Sequence, residues 1–431
     1  MTVSVGVIHP YLKTPRSKGE STRQSSSTYK IEEACALVQA IKGMDIICRD
    51  VMPLSKVVAG TLLTKGHVER IKTTVKEHGL DLVVVNHALT PIQQRNLEKT
   101  WKTKVIDRTG LILEIFGARA QTKEGKLQVE LAALSFQRSR LVRSWTHLER
   151  QRGGLGFVGG PGETQIEIDR RLIDEKIVRL KKDLEKVKKT RRLQRKARKD
   201  VPYPVVALVG YTNAGKSTLF NVLTGADVFA KDLLFATLDP TMRALELDQH
   251  LKVILSDTVG FISDLPTHLV AAFRATLEEV EQADIILHVR DIASDHSEGE
   301  AKDVLETLET LELEISHNPN IIEVWNKIDL LDAENRERIF NVAERQENVI
   351  AISALKEIGL SRLKEILKNK INKSSQIIDL KMKYSHGDVL SWVYENCAIL
   401  NRQDKKDGIY VQIQAAPDIL SRLQHKEVEV L

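Results

Sequence analysis

The sequence has few cysteines, no long apolar run and no unusual composition. Cys35, Cys48 and Cys397 are its three cysteines in 431 residues. Their number and wide separation exclude a disulfide framework and a zinc-ligand spacing. No apolar run reaches the roughly 18 residues of a transmembrane helix, and no secretory signal opens the chain. These absences favour a protein of the reducing cytoplasm without stable membrane insertion.

The composition is that of an ordinary folded protein, with 42% hydrophobic and 29% charged residues. It excludes a mainly disordered chain and a collagen-like chain. Because domains contain roughly 100–200 residues, the length of 431 residues predicts two to four domains.

The formal net charge of +5 hides one strongly basic segment. Residues 170–199 contain 15 lysines and arginines against four acidic residues, and residues 186–199 contain nine basic residues and no acidic one. Like charges this close repel each other on a solvated helix, whereas they match the phosphate backbone of RNA. We therefore favour RNA contact over the alternative of a solvated helix face. The basic residues expected to make this contact are Arg170, Arg171, Lys188, Lys189, Arg191, Arg192 and Arg195.

Hydrophobic periodicity divides the chain into four predicted segments. Residues 1–122 predict a small α/β domain, and residues 123–200 predict an antiparallel helical hairpin with a glycine-rich tip. Residues 201–372 alternate apolar strands with helices, which predicts an α/β domain with a mostly parallel sheet. Residues 373–431 predict a small α+β domain of strand, helix, strand and a short final helix.

The hairpin prediction depends on apolar residues that recur in steps of four and three before and after residues 152–165. Its alternative is two amphipathic helices that pack on different cores. At the glycine-rich tip we favour RNA contact, because a plain turn needs fewer residues; the alternative is that the tip only forms the turn. The glycines concerned are Gly159, Gly160 and Gly162.

Two local patterns in the first segment predict a loop and the start of a helix. Residues 14–28 are rich in Ser and Thr, which predicts a loop or extension. Thr90 followed by Pro91 is typical of a helix start, because Thr caps exposed N–H groups and Pro fits the first helical position.

The strongest motif is GYTNAGKS, which follows an apolar strand and opens a helix. Its two glycines allow backbone N–H groups to surround phosphate oxygens, which is the chemistry of a phosphate-binding loop. We expect Lys216 to reach the β- and γ-phosphates and the Ser217 hydroxyl to bind Mg²⁺. The residues expected around the phosphates are Gly210, Tyr211, Thr212, Asn213, Ala214, Gly215, Lys216, Ser217 and Thr218.

A second motif, NKID, selects the base. A carboxylate at Asp329 accepts both the N1–H and the exocyclic amine of guanine, a pair that adenine does not offer. Asn326 is expected to hold the loop and the base, and the stem of Lys327 to cover the ring. The motifs occur in order at strand ends, which predicts GTP rather than ATP. The expected base contacts are Asn326, Lys327, Ile328, Asp329, Ser353, Ala354 and Leu355.

The motif DTVG, which ends another apolar strand, supplies the third part of the site. Asp257 is expected to hold Mg²⁺ through water, and the Gly260 N–H to contact the γ-phosphate. Thr237 is our choice for the hydroxyl that closes on Mg²⁺, with Thr241 as the alternative. The further nucleotide contacts expected here are Phe235, Ala236, Leu238, Asp239, Thr258 and Val259, and the residues expected to act in catalysis are Lys216, Thr237 and Gly260.

Phe261 stands where many signalling GTPases have a Gln that orients the attacking water. Because Phe cannot orient water by a hydrogen bond, we predict slow intrinsic hydrolysis that rises when a partner orders the adjoining segments. The alternative is that Ser263 or Asp264 orients the attacking water without a partner.

Together with the hairpin sequence GGPGETQIEIDRR, the motifs GYTNAGKST, FATLDPT, DTVGF and NKID resemble those of the HflX family of GTPases. The resemblance is strong over residues 80–360 and weak at both ends. The fold it implies is a P-loop GTPase domain with a mostly parallel sheet, preceded by a small α/β domain and a helical hairpin and followed by a small α+β domain.

The resemblance also implies a function. It points to a cytoplasmic, Mg²⁺-dependent GTPase that is monomeric off the ribosome and binds the large ribosomal subunit and its RNA. The implied role is dissociation, rescue or quality control of ribosomes under stress. A GTPase of ribosome assembly or RNA modification is the alternative, and a signalling GTPase with peripheral membrane association is a more distant one.

Overall fold

The structure is a computed structural model in which the chain divides into two compact units. The first unit comprises Met1–Lys189, Lys231–Asp239 and Val259–Ala275, and the second comprises Thr190–Ala230, Pro240–Thr258 and Thr276–Leu431. The structure describes residues 2–13, 20–151, 165–198, 203–226, 234, 235, 237, 241–248, 251–263, 279–281, 283–310, 320–373, 376–405, 407–415, 423, 429 and 430.

A four-stranded parallel sheet, in the order β2-β1-β3-β4, begins the first unit. Its elements in chain order are β1 (Val3–Leu12), α1 (Glu20–Gln39), β2 (Met44–Leu54), α2 (Lys65–His78), β3 (Leu82–Val85), α3 (Pro91–Trp101), β4 (Lys104–Asp107) and α4 (Arg108–Arg119). All four residues of β3 are buried, as expected for a parallel strand covered on both faces. The predicted helix start is confirmed, because Thr90 and Gln93 form a capping box ahead of Pro91.

The predicted loop at residues 14–28 is wrong over residues 20–28, where α1 has already begun. Ser and Thr favour turns because they hydrogen-bond to nearby backbone, but this preference is weak. Burial of Ile31, Ala34 and Leu37 on one face of α1 overrides it. Residues 14–19 lie outside the described part of the chain.

Two long helices, α5 (Lys123–Gln151) and α6 (Gln165–Arg198), follow and run antiparallel. Arg138 on α5 forms an ion pair with Asp174 on α6 at 3.0 Å. The pKa of Asp183 is lowered chiefly by its hydrogen bond from Lys186, and the charge of Lys123 lowers it further. Lys123 therefore faces the later part of α6 and Arg138 the earlier part, as in a hairpin. The tip, with Gly159, Gly160 and Gly162, lies outside the described residues.

The second unit contains a six-stranded sheet in the order β10-β9-β8-β5-β7-β6. Its strands are β5 (Val205–Gly210), β6 (Thr241–Asp248), β7 (Leu251–Asp257), β8 (Ile285–Asp291), β9 (Ile321–Asn326) and β10 (Val349–Ala351). Its helices are α7 (Lys216–Thr224), α8 (Ser297–Thr310), α9 (Ala333–Glu344) and α10 (Leu360–Lys373). Strands β5, β7, β8, β9 and β10, whose apolar runs predict a mostly parallel sheet, are parallel to one another. The edge strand β6, in which polar residues are interspersed among apolar ones, is antiparallel to β7 and was not predicted.

An antiparallel sheet in the order β12-β13-β11-β14 ends the chain. Its elements are β11 (Gln376–Met382), α11 (Gly387–Asn396), β12 (Ala398–Lys405), β13 (Gly408–Ala415) and β14 (Glu429–Val430). The predicted strand, helix and strand are present, but β12 was not predicted because its second half is polar and resembles a loop. The predicted final helix lies outside the described residues. None of the described helices combines the length and apolar character that a bilayer crossing requires.

Candidate nucleotide-binding site

The phosphate-binding loop connects β5 to α7, and its two glycines are fixed by close packing. Gly210 has φ of +153°, and a Cβ there would lie 2.1 Å from the main-chain oxygen of Val289. Gly215 has φ of +92°, and a Cβ there would lie 2.3 Å from Nδ2 of Asn326. Both positions therefore exclude any side chain, for reasons of backbone conformation and of space.

Lys216 is the first residue of α7 and is buried. Its Nζ donates hydrogen bonds to the main-chain oxygens of Gly210, at 3.0 Å, and Tyr211, at 2.7 Å. Burial lowers the pKa of Lys216 to about 8, with the charge of Asp257 opposing the shift and that of Lys327 adding to it. A phosphate anion in the loop would favour the ammonium form and offset this desolvation.

Ser217 and Asp257 face each other where α7 begins and β7 ends. The Ser217 hydroxyl donates a hydrogen bond to Oδ2 of Asp257 at 2.7 Å, and Asp257 is fully buried. The next residue, Thr258, donates from its hydroxyl to the main-chain oxygen of Leu208 at 2.6 Å, which ties this strand end to β5. A hydroxyl beside a buried carboxylate is an oxygen donor set that fits Mg²⁺.

Asn326 connects the phosphate-binding loop to the loop after β10. Its Nδ2 donates to the main-chain oxygen of Ala214 at 2.9 Å, and its Oδ1 accepts from the Ala354 N–H at 2.9 Å. The Ser353 hydroxyl donates to Oδ1 of Asp329 at 2.5 Å. These contacts orient the amide and the carboxylate that the sequence assigns to guanine.

Lys327, which follows Asn326 in the chain, has a left-handed backbone conformation with φ of +67°. Its Nζ forms an ion pair with Asp291 at 2.8 Å. Leu330 and Leu355, near this loop, are 66% and 71% exposed, and Ile328 is buried beneath it. The second unit thus brings the predicted phosphate and base residues, together with Ser217 and Asp257 of the predicted Mg²⁺ residues, to the carboxyl ends of parallel strands, where α/β sheets bind ligands.

Several predicted contacts lie in the first unit and are described there. Phe235 is buried, Thr237 is half-buried, and Val259 and Gly260 are buried. Ala236, Leu238 and Asp239 lie outside the described residues. The alternative hydroxyl, Thr241, begins β6 and is in register with Asp257.

The basic residues of α6 are described only in part. Arg170 and Arg171 have side chains that are 51% and 57% exposed, with Asp174 and Glu175 one turn further on at 3.9 and 3.8 Å. Lys189 is exposed. The other predicted contacts belong to the backbone of α6, but the structure does not describe their side chains. They are Lys188, Arg191, Arg192 and Arg195.

Two acidic residues of this region belong to no motif that predicts them. Asp291 pairs with Lys327, and Glu279 accepts a hydrogen bond from the Ser256 hydroxyl at 3.1 Å, next to Asp257. Asp291 ends the apolar strand β8, so its position at a strand end was the signal that the sequence offered. Glu279 has no comparable signal, because its partner is 23 residues away.

Known proteins resemble the chain over most of its length. GTPase HflX of Magnetococcus marinus is 49% identical over 385 residues, which is 89% of this chain and 87% of that protein. GTPase HflX of Escherichia coli is 45% identical over 344 residues, 80% of each chain. The putative GTP-binding protein 6 of Homo sapiens is 34% identical over 403 residues, 92% of this chain and 76% of that protein.

Four family models match successive parts of the chain. Residues 28–117 match the GTP-binding GTPase N-terminal region, 119–198 the GTP-binding GTPase middle region, 205–327 a 50S ribosome-binding GTPase, and 338–428 the HflX C-terminal domain. With a phosphate-binding loop, a guanine motif and relatives of this identity, the chain belongs to the HflX family of GTPases and hydrolyses GTP to GDP and phosphate.

Proposed function

We propose that this GTPase binds the large ribosomal subunit and acts in the dissociation, rescue or quality control of ribosomes under stress. The observation that carries the proposal is the concentration of basic residues on α6. The match of residues 205–327 to a 50S ribosome-binding GTPase supports it. The protein would work in the cytoplasm, as a monomer when it is off the ribosome.

The shape and charge of α6 suit a long RNA groove. The helix has 34 residues, which is about 50 Å at 1.5 Å per residue. Residues 186–198, in its second half, carry eight positive charges and no negative one. Helix geometry distributes these charges around several faces, so that RNA phosphates on more than one side can be neutralised. Together with the glycine-rich tip, the helix would provide the ribosomal contacts.

The nucleotide would control the time spent on the ribosome. Lys216 would contact the β- and γ-phosphates, while Ser217 directly and Asp257 through water would hold Mg²⁺, which neutralises charge on the transferred phosphoryl group. Thr237 and the Gly260 N–H would respond to the γ-phosphate. Hydrolysis would release both segments and favour dissociation from the ribosome.

Intrinsic hydrolysis would be slow. Phe261 is buried and apolar, so its side chain offers no hydrogen bond to a water molecule. A ribosomal partner that orders the neighbouring segments would therefore accelerate the reaction. Single-turnover hydrolysis with and without large subunits tests this, and equal rates would contradict it.

Sedimentation through sucrose gradients is the direct test of the proposed partner. The full chain is mixed with ribosomes, or with isolated subunits, in the presence of GDP or a non-hydrolysable GTP analogue. We expect migration with large subunits in the GTP-analogue state, a smaller peak of intact ribosomes, and release with GDP. If the protein stays at the top of the gradient with every nucleotide, the proposal is wrong. Binding only to precursor subunits would favour a role in assembly instead.

A further inference from the structure

The turn that carries Asp329 is held by an arginine that lies outside the guanine motif. Arg336, the fourth residue of α9, donates a hydrogen bond from Nε to the main-chain oxygen of Ile328 at 3.1 Å and from Nη2 to that of Leu331 at 3.0 Å. Ile328 lies one residue before Asp329, and Leu331 lies two residues after it. One guanidinium thus holds the backbone on both sides of this carboxylate, and all these residues belong to the second unit.

The turn itself is short and lies at the protein surface. It is a single 3₁₀ turn, Ile328–Leu330, and Leu330 is 66% exposed. The Leu330 N–H donates to the main-chain oxygen of Lys327 at 3.1 Å, and the Leu331 N–H donates to that of Ile328 at 3.3 Å. Hydrogen bonds in 3₁₀ turns have poorer geometry than those of an α-helix. The conformation of the turn therefore depends on contacts from outside it, of which the arginine supplies two.

Helix α9 is a firm support for these two bonds. Asp332 caps the start of the helix, because its Oδ1 accepts a hydrogen bond from the Asn335 N–H at 2.8 Å. One turn further on, Ile339 and Phe340 pack against a buried apolar cluster that includes Trp325 of β9. The cap and the apolar packing fix the helix against the sheet, so the guanidinium extends from a backbone that is itself held in place.

The side-chain end of Asp329 is oriented by a separate contact. The buried Ser353 hydroxyl donates to Oδ1 of Asp329 at 2.5 Å. The same hydroxyl accepts a hydrogen bond from the Lys356 N–H at 3.0 Å, which leaves its hydrogen directed at the carboxylate. With Oδ1 fixed by Ser353 and the backbone fixed by Arg336, the carboxylate presents one defined edge to a bound base.

Such alignment matters most for the choice between guanine and hypoxanthine. Guanine offers the carboxylate two parallel donors, N1–H and the exocyclic amine, whereas hypoxanthine offers N1–H alone. Because a hydrogen bond weakens steeply as its angle departs from linear, both bonds to guanine form well in only one orientation of the carboxylate. A single bond to hypoxanthine tolerates a rotated carboxylate better.

We propose that Arg336 is a positioning residue for guanine selection, which aligns the Asp329 carboxylate by holding the main-chain oxygens of Ile328 and Leu331. It acts at the base, which GTP and GDP share, so it affects both nucleotides equally and leaves the chemical step unchanged. The proposal concerns the choice of nucleotide by the isolated enzyme and does not depend on ribosome binding.

Replacement of Arg336 by methionine removes both donors and keeps the length of the side chain. We expect affinity for GDP to fall by about tenfold and affinity for inosine diphosphate by less than about threefold, since only guanine loses its second hydrogen bond. In hydrolysis, KM for GTP should rise by about tenfold while kcat stays within about twofold, as for loss of uniform binding. Displacement of a labelled guanine nucleotide by each diphosphate measures the affinities.

Arg336→Lys is the conservative variant, and it also serves if the methionine variant does not fold. Lysine keeps the positive charge but lacks the planar fork that reaches two acceptors, so the preference for GDP over inosine diphosphate should fall by a smaller factor. Arg338→Met is the matched control, because it removes an exposed arginine of the same helix. It should bind both diphosphates as wild type does.

Asp329→Ala completes a double-mutant cycle with Arg336→Met. The alanine variant should lose the preference for GDP over inosine diphosphate, and adding Arg336→Met to it should change the preference no further, because no carboxylate remains to be aligned. This non-additivity is the result expected of a positioning residue, whereas a merely structural role predicts independent effects.

Three outcomes would overturn the proposal. One is an unchanged preference for GDP in both Arg336 variants. The second is an equal loss of affinity for the two diphosphates, which indicates a structural role. The third is an unchanged preference in Asp329→Ala, which would mean that this carboxylate does not select the base.

Discussion

Asn326 donates a hydrogen bond from Nδ2 to the main-chain oxygen of Ala214, 112 residues earlier in the chain, at 2.9 Å. One amide thereby holds the phosphate-binding loop at a fixed distance from the base-binding loop. Phosphate and base recognition are consequently coupled, because neither loop can move without straining this bond.

The Asn326→Asp variant tests that coupling. The substitution keeps the acceptor for the Ala354 N–H but sets a carboxylate oxygen against the Ala214 carbonyl, and the two oxygens repel each other. We expect affinity for GTP and for GDP to fall by about 10- to 100-fold, since a donor is lost and a buried charge is added. Fluorescence titration with labelled nucleotides measures both affinities.

The control for this variant is Asn96→Asp. Asn96 also donates from Nδ2 to a main-chain oxygen, that of Gly60, at 2.8 Å, but in the N-terminal domain. Its nucleotide affinity should equal that of wild type. Equal effects of the two substitutions would indicate general destabilisation and contradict the coupling.

Loss of the Ser217 hydroxyl should weaken the response of hydrolysis to Mg²⁺ concentration. Ser217→Ala removes the oxygen donor that faces Asp257, and we expect hydrolysis to fall by at least about 100-fold, as for loss of a metal contact in phosphoryl transfer. Thr224→Val is the matched control, because that hydroxyl lies on the same helix and donates to the main-chain oxygen of Phe220, one turn earlier. A Mg²⁺ titration of single-turnover rates distinguishes the two, and a Mg²⁺ response of wild-type size in Ser217→Ala would refute the assignment.

Neutralising α6 should reduce the salt dependence of ribosome binding. The triple variant Arg170→Gln/Arg171→Gln/Lys189→Gln removes three positive charges, and each phosphate contact contributes roughly 0.7–0.9 to the slope of log affinity against log salt. We expect the slope to fall by about two to three and binding to weaken. Sedimentation at several KCl concentrations measures both.

A triple variant of equal charge on α2 serves as the control for this measurement. Arg70→Gln/Lys72→Gln/Lys76→Gln should leave the slope unchanged. The same decrease in both variants would mean that overall charge, rather than α6, attracts the RNA.

The N-terminal domain should lose stability in mild acid because of His9. The pKa of His9 is lowered to about 4, chiefly by burial; a hydrogen bond with Asn86 opposes the shift, and the charges of Lys30, Arg108 and His87 add to it. The unfolded chain therefore binds more protons than the folded one, so the contribution to stability is full above pH 6.5 and is lost as the pH falls towards 4.

Melting temperatures at pH 7 and pH 5 provide the measurement. Wild type should lose about 2 kcal/mol more than His9→Gln over this interval, at about 1.4 kcal/mol per pH unit below 6.5. His78→Gln, a substitution at an exposed position of α2, should behave as wild type. If His9→Gln is as sensitive to acid as wild type, the histidine is not the cause.

Much of the architecture follows from simple patterns in the sequence. The central strands were predictable because apolar runs such as Val205–Gly210 and Ile285–Asp291 are typical of parallel strands that are buried on both faces of a sheet. Strands β6 and β12 were not, because an edge or an antiparallel sheet tolerates polar residues that otherwise resemble loops. The serine-rich start of α1 was not predicted as a helix, because the burial of apolar residues on α1 outweighs the weak preference of Ser and Thr for turns.

The candidate site, like the fold, could be predicted only in part. Gly215, Lys216 and Asp329 belong to motifs whose spacing reflects the shape of the nucleotide, and the spacing can be recognised in the chain. The contact of Arg108 with Ser263 joins residues 155 positions apart. Such a pair arises only from the tertiary packing of the first unit, and no local pattern in the sequence predicts it.

The packing of Gly210 affects how variants of this enzyme should be interpreted. Gly210 pairs with Val289 across β5 and β8, and there is no room for a methyl group between them. Alanine at this position would force the two strands apart before any nucleotide binds. A Gly210→Ala variant therefore reports on assembly of the central sheet, and its loss of activity would say nothing about phosphate recognition.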